Sequence, residues 1–240
     1  MTSDTWPVDS RAFYDKYVDR QLSAGVNARH HSILRWLNRF GLQANDRVLE
    51  IGSGVGTLTG LIAAGLGTQG SILGVDLSPR SIDAARGRLA AFDRVQLLAG
   101  DILEVEAPGQ FDVVVLPDVI EHIPSELHPA LFRRIAQWVK ASGFVLLHYP
   151  NPLFLEWCHA HRRDLLQPVD QPIHADALSA NAYAAGLRLD HLETYSIWVA
   201  EGDYQVAVLR PRREHASFTF LEEKLSLADR VKGRIRRALK

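Results

Sequence analysis

The stretch Val48-Leu49-Glu50-Ile51-Gly52-Ser53-Gly54-Val55-Gly56-Thr57 runs an apolar segment straight into a glycine-rich turn, and a second apolar segment ends in Asp76. A parallel strand buried on both faces reads as a continuous apolar run, and glycines after it let the chain turn sharply and bring its backbone close to a ligand. An acid after the second strand sits where its two oxygens can accept from the two hydroxyls of a ribose. The chemistry predicted is therefore the binding of a nucleotide-type cofactor. The spacing departs from G-x-G-x-x-G, because the third glycine is Gly56 and Thr57 follows it.

Three more features surround that turn. Glu50 precedes it, giving E-x-G-x-G-x-G; Ala99-Gly100-Asp101-Ile102 follows a third strand; and Phe111-Asp112-Val113-Val114-Val115-Leu116-Pro117-Asp118-Val119-Ile120-Glu121-His122-Ile123-Pro124 carries a fourth strand into an E-H-I signature. With Val75-Asp76-Leu77-Ser78, this ordered set resembles the class I S-adenosylmethionine (SAM) dependent methyltransferases over roughly residues 28–210. It is most similar to the branch that includes ubiquinone and menaquinone biosynthesis enzymes. The resemblance implies SAM as cofactor and S-adenosylhomocysteine as product; from the residues, no metal is expected. Gly52, Ser53, Gly54 and Gly56 would face its amino-acid end with Glu50 beneath, Asp76 would hold the ribose and Leu77 the adenine. Asp101 would accept from the adenine amino group, Ile102 would cover the ring, and Pro117 would be a further cofactor contact. The alternative is an α/β domain whose glycines only turn the chain and whose acids only cap helices, as Asp76 before Ser78-Pro79 could.

Methyl transfer asks for in-line alignment and, with a hydroxyl acceptor, removal of a proton. His148, at the end of a fifth apolar run, titrates near neutrality and is the first candidate base; a buried histidine satisfied by a backbone carbonyl is the alternative. His122 of the E-H-I signature is the second candidate, and Asp118 could orient an acceptor hydroxyl or the SAM amino group. Cys158-His159-Ala160-His161 has metal-ligand residue types, but i and i+2 point apart on a helix and no spaced second pair follows.

These residues need a frame to hold them. Strand and helix signals alternate, which implies a doubly wound, Rossmann-like parallel sheet. Strands are expected near 47–51, 71–75, 94–98, 111–116 and 143–149, and helices near 57–66, 79–91 and 126–140. Segments 187–197 and 203–210 would be a final hairpin, which in the family completes a seven-stranded sheet. Residues 1–212 would form one domain. Its first 45 residues carry an amphipathic pattern interrupted around Gly25-Val26-Asn27, read as a helical cover in which Tyr14, Tyr17, Arg29 and His30 could face the ligands. The connection 150–176, rich in proline, aromatic and charged residues, is too long for a plain loop and reads as an acceptor lid, with Asn151, Trp157 and His174 as candidate contacts.

The tail, 213–240, reads as an amphipathic helix with a strongly basic end. It suits either a solvated helix or weak peripheral contact with an anionic membrane surface. The 240 residues suffice for one large domain, and the formal net charge of −1 gives no general attraction to nucleic acid. The place after the fourth strand also lacks the N/D-P-P-Y/F type of motif expected of an amino-methylating nucleic-acid enzyme. One cysteine, Cys158, excludes an internal disulfide and fits a reducing cytoplasm. No run approaches the roughly 18 apolar residues of a membrane span. The polar lid, its weak similarity to bacterial methyltransferases of cell-surface glycan assembly, and the candidate histidine base point to O-methylation of a small or glycan-type acceptor. The alternatives are N- or C-methylation of a small metabolite and a non-catalytic SAM-binding partner. Oligomeric state is left open.

Overall fold

The computed structural model describes residues 10–106 and 109–213; the basic tail read from the sequence lies outside them. Seven strands form one sheet in the order β3-β2-β1-β4-β5-β7-β6. They are β1 (Arg47–Ile51), β2 (Ser71–Asp76), β3 (Val95–Ala99), β4 (Phe111–Pro117), β5 (Val139–Pro150), β6 (Leu187–Tyr195) and β7 (Tyr204–Pro211). β1 to β5 pair in parallel, and β7 runs antiparallel to both of its neighbours. The expected strands and the final hairpin are all present.

The continuous apolar runs have the predicted cause. Along β4, Val113 and Val115 join one core while Val114 and Leu116 join the other, and β5 alternates in the same way from Phe144 to Leu147. Side chains point alternately to opposite faces of a strand, so a sheet covered on both sides needs apolar residues at every position. One core receives α2 (Ala28–Phe40) and α3 (Thr57–Gly65) through Ile33, Trp36, Leu37, Leu58 and Ile62. The other receives α5 (His128–Trp138) and α7 (Ala175–Ala184) through Leu131, Phe132, Ile135, Leu178 and Ala182.

Two boundaries differ from expectation. β5 begins at Val139 rather than near 143, because Val139 pairs with Phe111 and Lys140 holds Asp112 at 2.8 Å across a register shift. The lid contains a helix of its own, α6 (Pro152–His161), started by Asn151, whose side chain accepts from Leu153 N–H. The expected break between α1 (Ser10–Ala24) and α2 falls at Gly25, in the left-handed region at φ +58°, and Asn27 caps α2. α4 (Pro79–Arg88) is capped by Ser78, which accepts from Ser81 N–H.

The register sets the site. Ile51 lies beside Val75, Asp76 beside Ala99, and Pro117 beside His148, so the carboxyl ends of β1 to β5 are level. Connections leave β1 and β4 in opposite directions at the point where strand order reverses. In open α/β sheets that point opens a crevice for ligands.

Candidate functional site

Above those strand ends lies a cavity of about 660 Å³, within the roughly 300–1,000 Å³ typical of small-molecule sites. One end is built by the glycine turn. Gly52, Gly54 and Gly56 all have left-handed φ, at +80°, +51° and +77°. A Cβ on Gly52 would stand 2.2 Å from Val119 Cγ2, and one on Gly56 would stand 2.7 Å from Leu89 Cδ1. Gly56 therefore serves the packing of α3 on α4, and it does not line the cavity.

The turn's donors are already committed. Gly52 N–H and Ser53 N–H both donate to Val75 C=O, at 2.7 and 3.0 Å. Gly54 N–H donates to one carboxylate oxygen of Asp76 at 2.7 Å, and Ser78 N–H donates to the other at 2.9 Å. This leaves Asp76 aimed into the cavity with its remaining lone pairs, and it removes three amides from any role in cradling a phosphate. Burial raises the Asp76 carboxyl above its usual range, against the pull of these two bonds.

Glu50 is 1 % exposed and accepts from Thr59 Oγ1 at 2.6 Å. Burial pushes its pKa up to about 8, so it is mainly protonated at neutral pH. Asp101 fastens its own loop by accepting from Leu103 N–H at 2.8 Å, and with Leu77 and Ile102 it lines the same end of the cavity.

The other end meets the N-terminal helices and the lid. Tyr14, Tyr17, Arg29 and His30 all line it, as the amphipathic pattern suggested. His30 caps α2 by accepting from Asn27 N–H, and burial followed by the Arg29 charge lowers its pKa to about 4, which keeps the ring neutral. Pro117, Asp118 and His122 form the floor with Val119 and Tyr204.

His122 is held as a proton acceptor. Its Nδ1–H donates to Val169 C=O at 2.7 Å, which leaves Nε2 bare; Gln167 Nε2 donates to that atom at 3.1 Å. Asp170 lies 3.4 Å from Nδ1 and accepts from Gln167 N–H. A base oriented by a neighbouring acid is the general pattern of activated proton transfer. Glu121 adds a buried carboxyl 3.8 Å from His122 Nε2, and burial together with the Asp118 charge pushes it well above the usual carboxylate range.

His148 stands elsewhere. It is fully buried, does not line the cavity, and has both nitrogens engaged: Nδ1 with Asp118 at 2.6 Å and Nε2 with the Tyr195 hydroxyl at 2.7 Å. This corrects the expectation that it faces an acceptor, since the β5 alternation directs it beneath the wall. Asp118 also pairs with Arg29. Burial would raise its pKa, but the Arg29 and His148 neighbours outweigh that and hold it at about 2.

The other lid candidates also lie apart from the cavity. Asn151 is spent on capping α6 and on donating to Gly202 C=O at 2.7 Å. Trp157 stacks between Phe154 and His161 on the outer side of α6, and His174 pairs with Glu156 at the surface. The lid contributes Phe154, Leu165 and Gln167 instead. His159 bonds Asp170 C=O and His161 bonds Trp157 C=O, so the cysteine-histidine cluster does not converge. Sequence reasoning missed Gln167 and Asp170 as partners of His122, and missed Tyr195. Only the length of the lid signalled that it returns across the E-H-I segment.

Residues 48–143 match the family described as "Methyltransferase domain". The chain is 29 % identical over 155 residues to a malonyl-[acyl-carrier protein] O-methyltransferase of Priestia megaterium, covering 64 % of this chain and 54 % of that one. It is 30 % identical over 121 residues to a ubiquinone biosynthesis O-methyltransferase of Thiobacillus denitrificans, covering 49 % and 50 %. The chain thus spans about half the length of the curated relatives it matches. Among solved structures, magnesium protoporphyrin IX methyltransferase from Synechocystis PCC 6803, with bound S-adenosylhomocysteine, shares the fold at a TM-score of 0.62 and 18 % identity, covering 85 % and 86 %. Residues 48–143 thus match a methyltransferase domain, and the strand order around them is that of the class I SAM-dependent methyltransferase fold.

Proposed function

We propose that the protein transfers a methyl group from SAM to a hydroxyl of a small or glycan-type acceptor, with His122 taking the hydroxyl proton. The cofactor part is supported by how the glycine turn spends its amides. Gly52, Ser53 and Gly54 donate to β2 and Asp76, which suits a ligand that brings ribose hydroxyls and no phosphate. Polar atoms without partners in the free protein favour the same ligand: Ser53 Oγ and Gln21 Oε1 beside the turn are buried and unpaired. Among the eight such side-chain atoms of the described residues, Gln21, Ser53, Arg29 and Gln167 all belong to residues lining this one cavity. An unpaired buried polar group costs about 1–3 kcal/mol, so their concentration here favours a ligand that satisfies them.

Bound SAM supplies an activated methyl group on a sulfonium. Asp76 would hold its ribose, Asp101, Leu77 and Ile102 its adenine, and the turn with Glu50 its amino-acid end. The chain's own work is then alignment and proton removal. His122 carries the acceptor reading, because it lines the cavity with Nε2 unprotonated and accepting from Gln167, and Asp170 stands behind Nδ1 to offset the charge it would gain. Arg29, Tyr204 and Gln167 offer polar contacts to an acceptor, and Trp198 and Leu165 form an apolar rim.

The test is calorimetric binding of SAM and S-adenosylhomocysteine, followed by transfer of labelled methyl from SAM to separated pools of nucleotide sugars, lipid-linked glycans, small metabolites and nucleic acids. Binding by the wild type and its loss in Asp76→Ala, with label in a sugar-containing pool, is the expected result. No binding by the folded wild type sinks the enzymatic reading, and label confined to other pools overturns the acceptor.

A further inference from the structure

The polar contacts around His148 form a closed circuit that begins and ends on α2. Arg29 pairs with Asp118 just beyond β4. Asp118 binds His148 on β5 at 2.6 Å, His148 binds Tyr195 on β6 at 2.7 Å, and Ser32 donates to the Tyr195 hydroxyl oxygen at 2.8 Å. Arg29 and Ser32 are one helical turn apart, so both ends grip the same helix.

Its hydrogen-bond polarity follows from the donors available. Tyr195 oxygen accepts from Ser32, so its own proton goes to His148 Nε2; Nδ1 then carries the ring proton and donates to Asp118. His148 thus needs no charge to complete the circuit, and its only bare nitrogen is occupied by Tyr195. Tyr204 stacks on the ring at 4.6 Å and 19°, which fixes its plane.

Asp118 is the only non-glycine among the described residues with positive φ, at +55°. Such a conformation is strained for a residue with a side chain and persists only where its surroundings over-determine it. Two bonds from the same residue do so here: Asp118 N–H donates to His148 C=O at 2.7 Å, and the Asp118 side chain accepts from His148 Nδ1–H. The result is an ionised carboxylate that holds Arg29 at the cavity wall.

We infer that His148 is a positioning residue: through Asp118 and Tyr195 it clamps α2 over the strand ends and fixes Arg29 toward the acceptor, and it does not itself take the acceptor's proton. This rests on the methyl-transfer reading for its kinetic arm alone. Removing one partner of a buried hydrogen bond leaves the other unsatisfied, which is worth about 5- to 100-fold in the equilibrium it supports.

The test compares wild type with Tyr195→Phe, which keeps the ring packed on Trp36 and loses only the hydroxyl, and with His148→Asn. Amide hydrogen exchange over residues 28–40 is expected to accelerate by about tenfold or more in both variants, beyond any change in global stability, as expected when a docked element opens locally. In the kinetic arm, the acceptor KM is expected to rise while kcat stays within about threefold and the rising limb of its pH profile is unmoved, whereas loss of a general base costs about 10²–10⁴ in kcat. Unchanged exchange with a kcat loss of that size and a vanished limb would assign His148 as the base and overturn the proposal. Unchanged exchange and unchanged kinetics overturn it as well. Exchange needs no turnover, so a wild type that transfers no methyl group sinks the functional reading and leaves the clamp to be decided by α2.

Discussion

At the scale of single residues, the two histidines show how similar sequence positions acquire different chemistry. His122 and His148 both lie at the carboxyl ends of apolar strands. What separates them is the partner at each nitrogen. His122 donates from Nδ1 to a carbonyl, accepts from Gln167 at Nε2 and lines the cavity, whereas His148 is enclosed away from it with its nitrogens bound to Asp118 and Tyr195. His122→Asn is therefore expected to lower kcat by about 10²–10⁴ and leave the affinity for S-adenosylhomocysteine nearly unchanged. Single-turnover kinetics beside calorimetry check this; an unaltered kcat removes His122 from proton transfer.

At the scale of elements, the lid end of the cavity depends on segments that have little regular structure and are tied down by a few polar bonds. Residues 166–171 are laid along the E-H-I segment by Gln171, whose N–H donates to Glu121 C=O and whose side-chain amide donates to Ile123 C=O, both at 2.9 Å. The β6–β7 loop is closed by Asp203. Its carboxylate accepts from Ile197 N–H at 2.7 Å and Trp198 N–H at 3.1 Å, and its carbonyl accepts from Asn151 N–H at 2.8 Å. Asp203 is 1 % exposed, while the Trp198 it carries is 58 % exposed at the cavity rim. Asp203→Ala should leave two loop amides unpaired and release Trp198. The expected outcome is an acceptor KM raised by about tenfold, from about 1–3 kcal/mol of lost loop order, with SAM affinity little changed. Equal loss of both affinities would mean that the loop supports the whole site and not its acceptor end.

At the scale of the whole molecule, the buried acids link stability to pH. The unfolded Glu50 carboxyl ionises near 4.5, the folded one only near 8, so between those values the native state holds the extra proton. Stability contributed by that proton is full below about pH 4.5 and is lost as pH rises through 8. Ligand-free Glu50→Gln should show a smaller fall in Tm from pH 5 to 8 than the wild type, by differential scanning calorimetry; parallel curves would mean that Glu50 ionises on an ordinary scale. The same comparison of scales divides what each source of information decided. The sequence by itself determined the seven strands, the glycine-turn end of the cavity and the N-terminal cover, because apolar runs, glycine turns and helix caps act between residues close in the chain. Gly52, Asp76 and Asp101 were legible as lining residues of the cavity for that reason. It also placed Tyr14, Arg29 and His30 at the cavity, since one amphipathic face must cover the strand ends. Only the tertiary structure decided which histidine lines the cavity, because the Val169–His122 and Tyr195–His148 bonds each span 47 positions and leave no local pattern. Strand alternation and the return of the lid, which together choose the partner of each imidazole nitrogen, exist only once the sheet has formed.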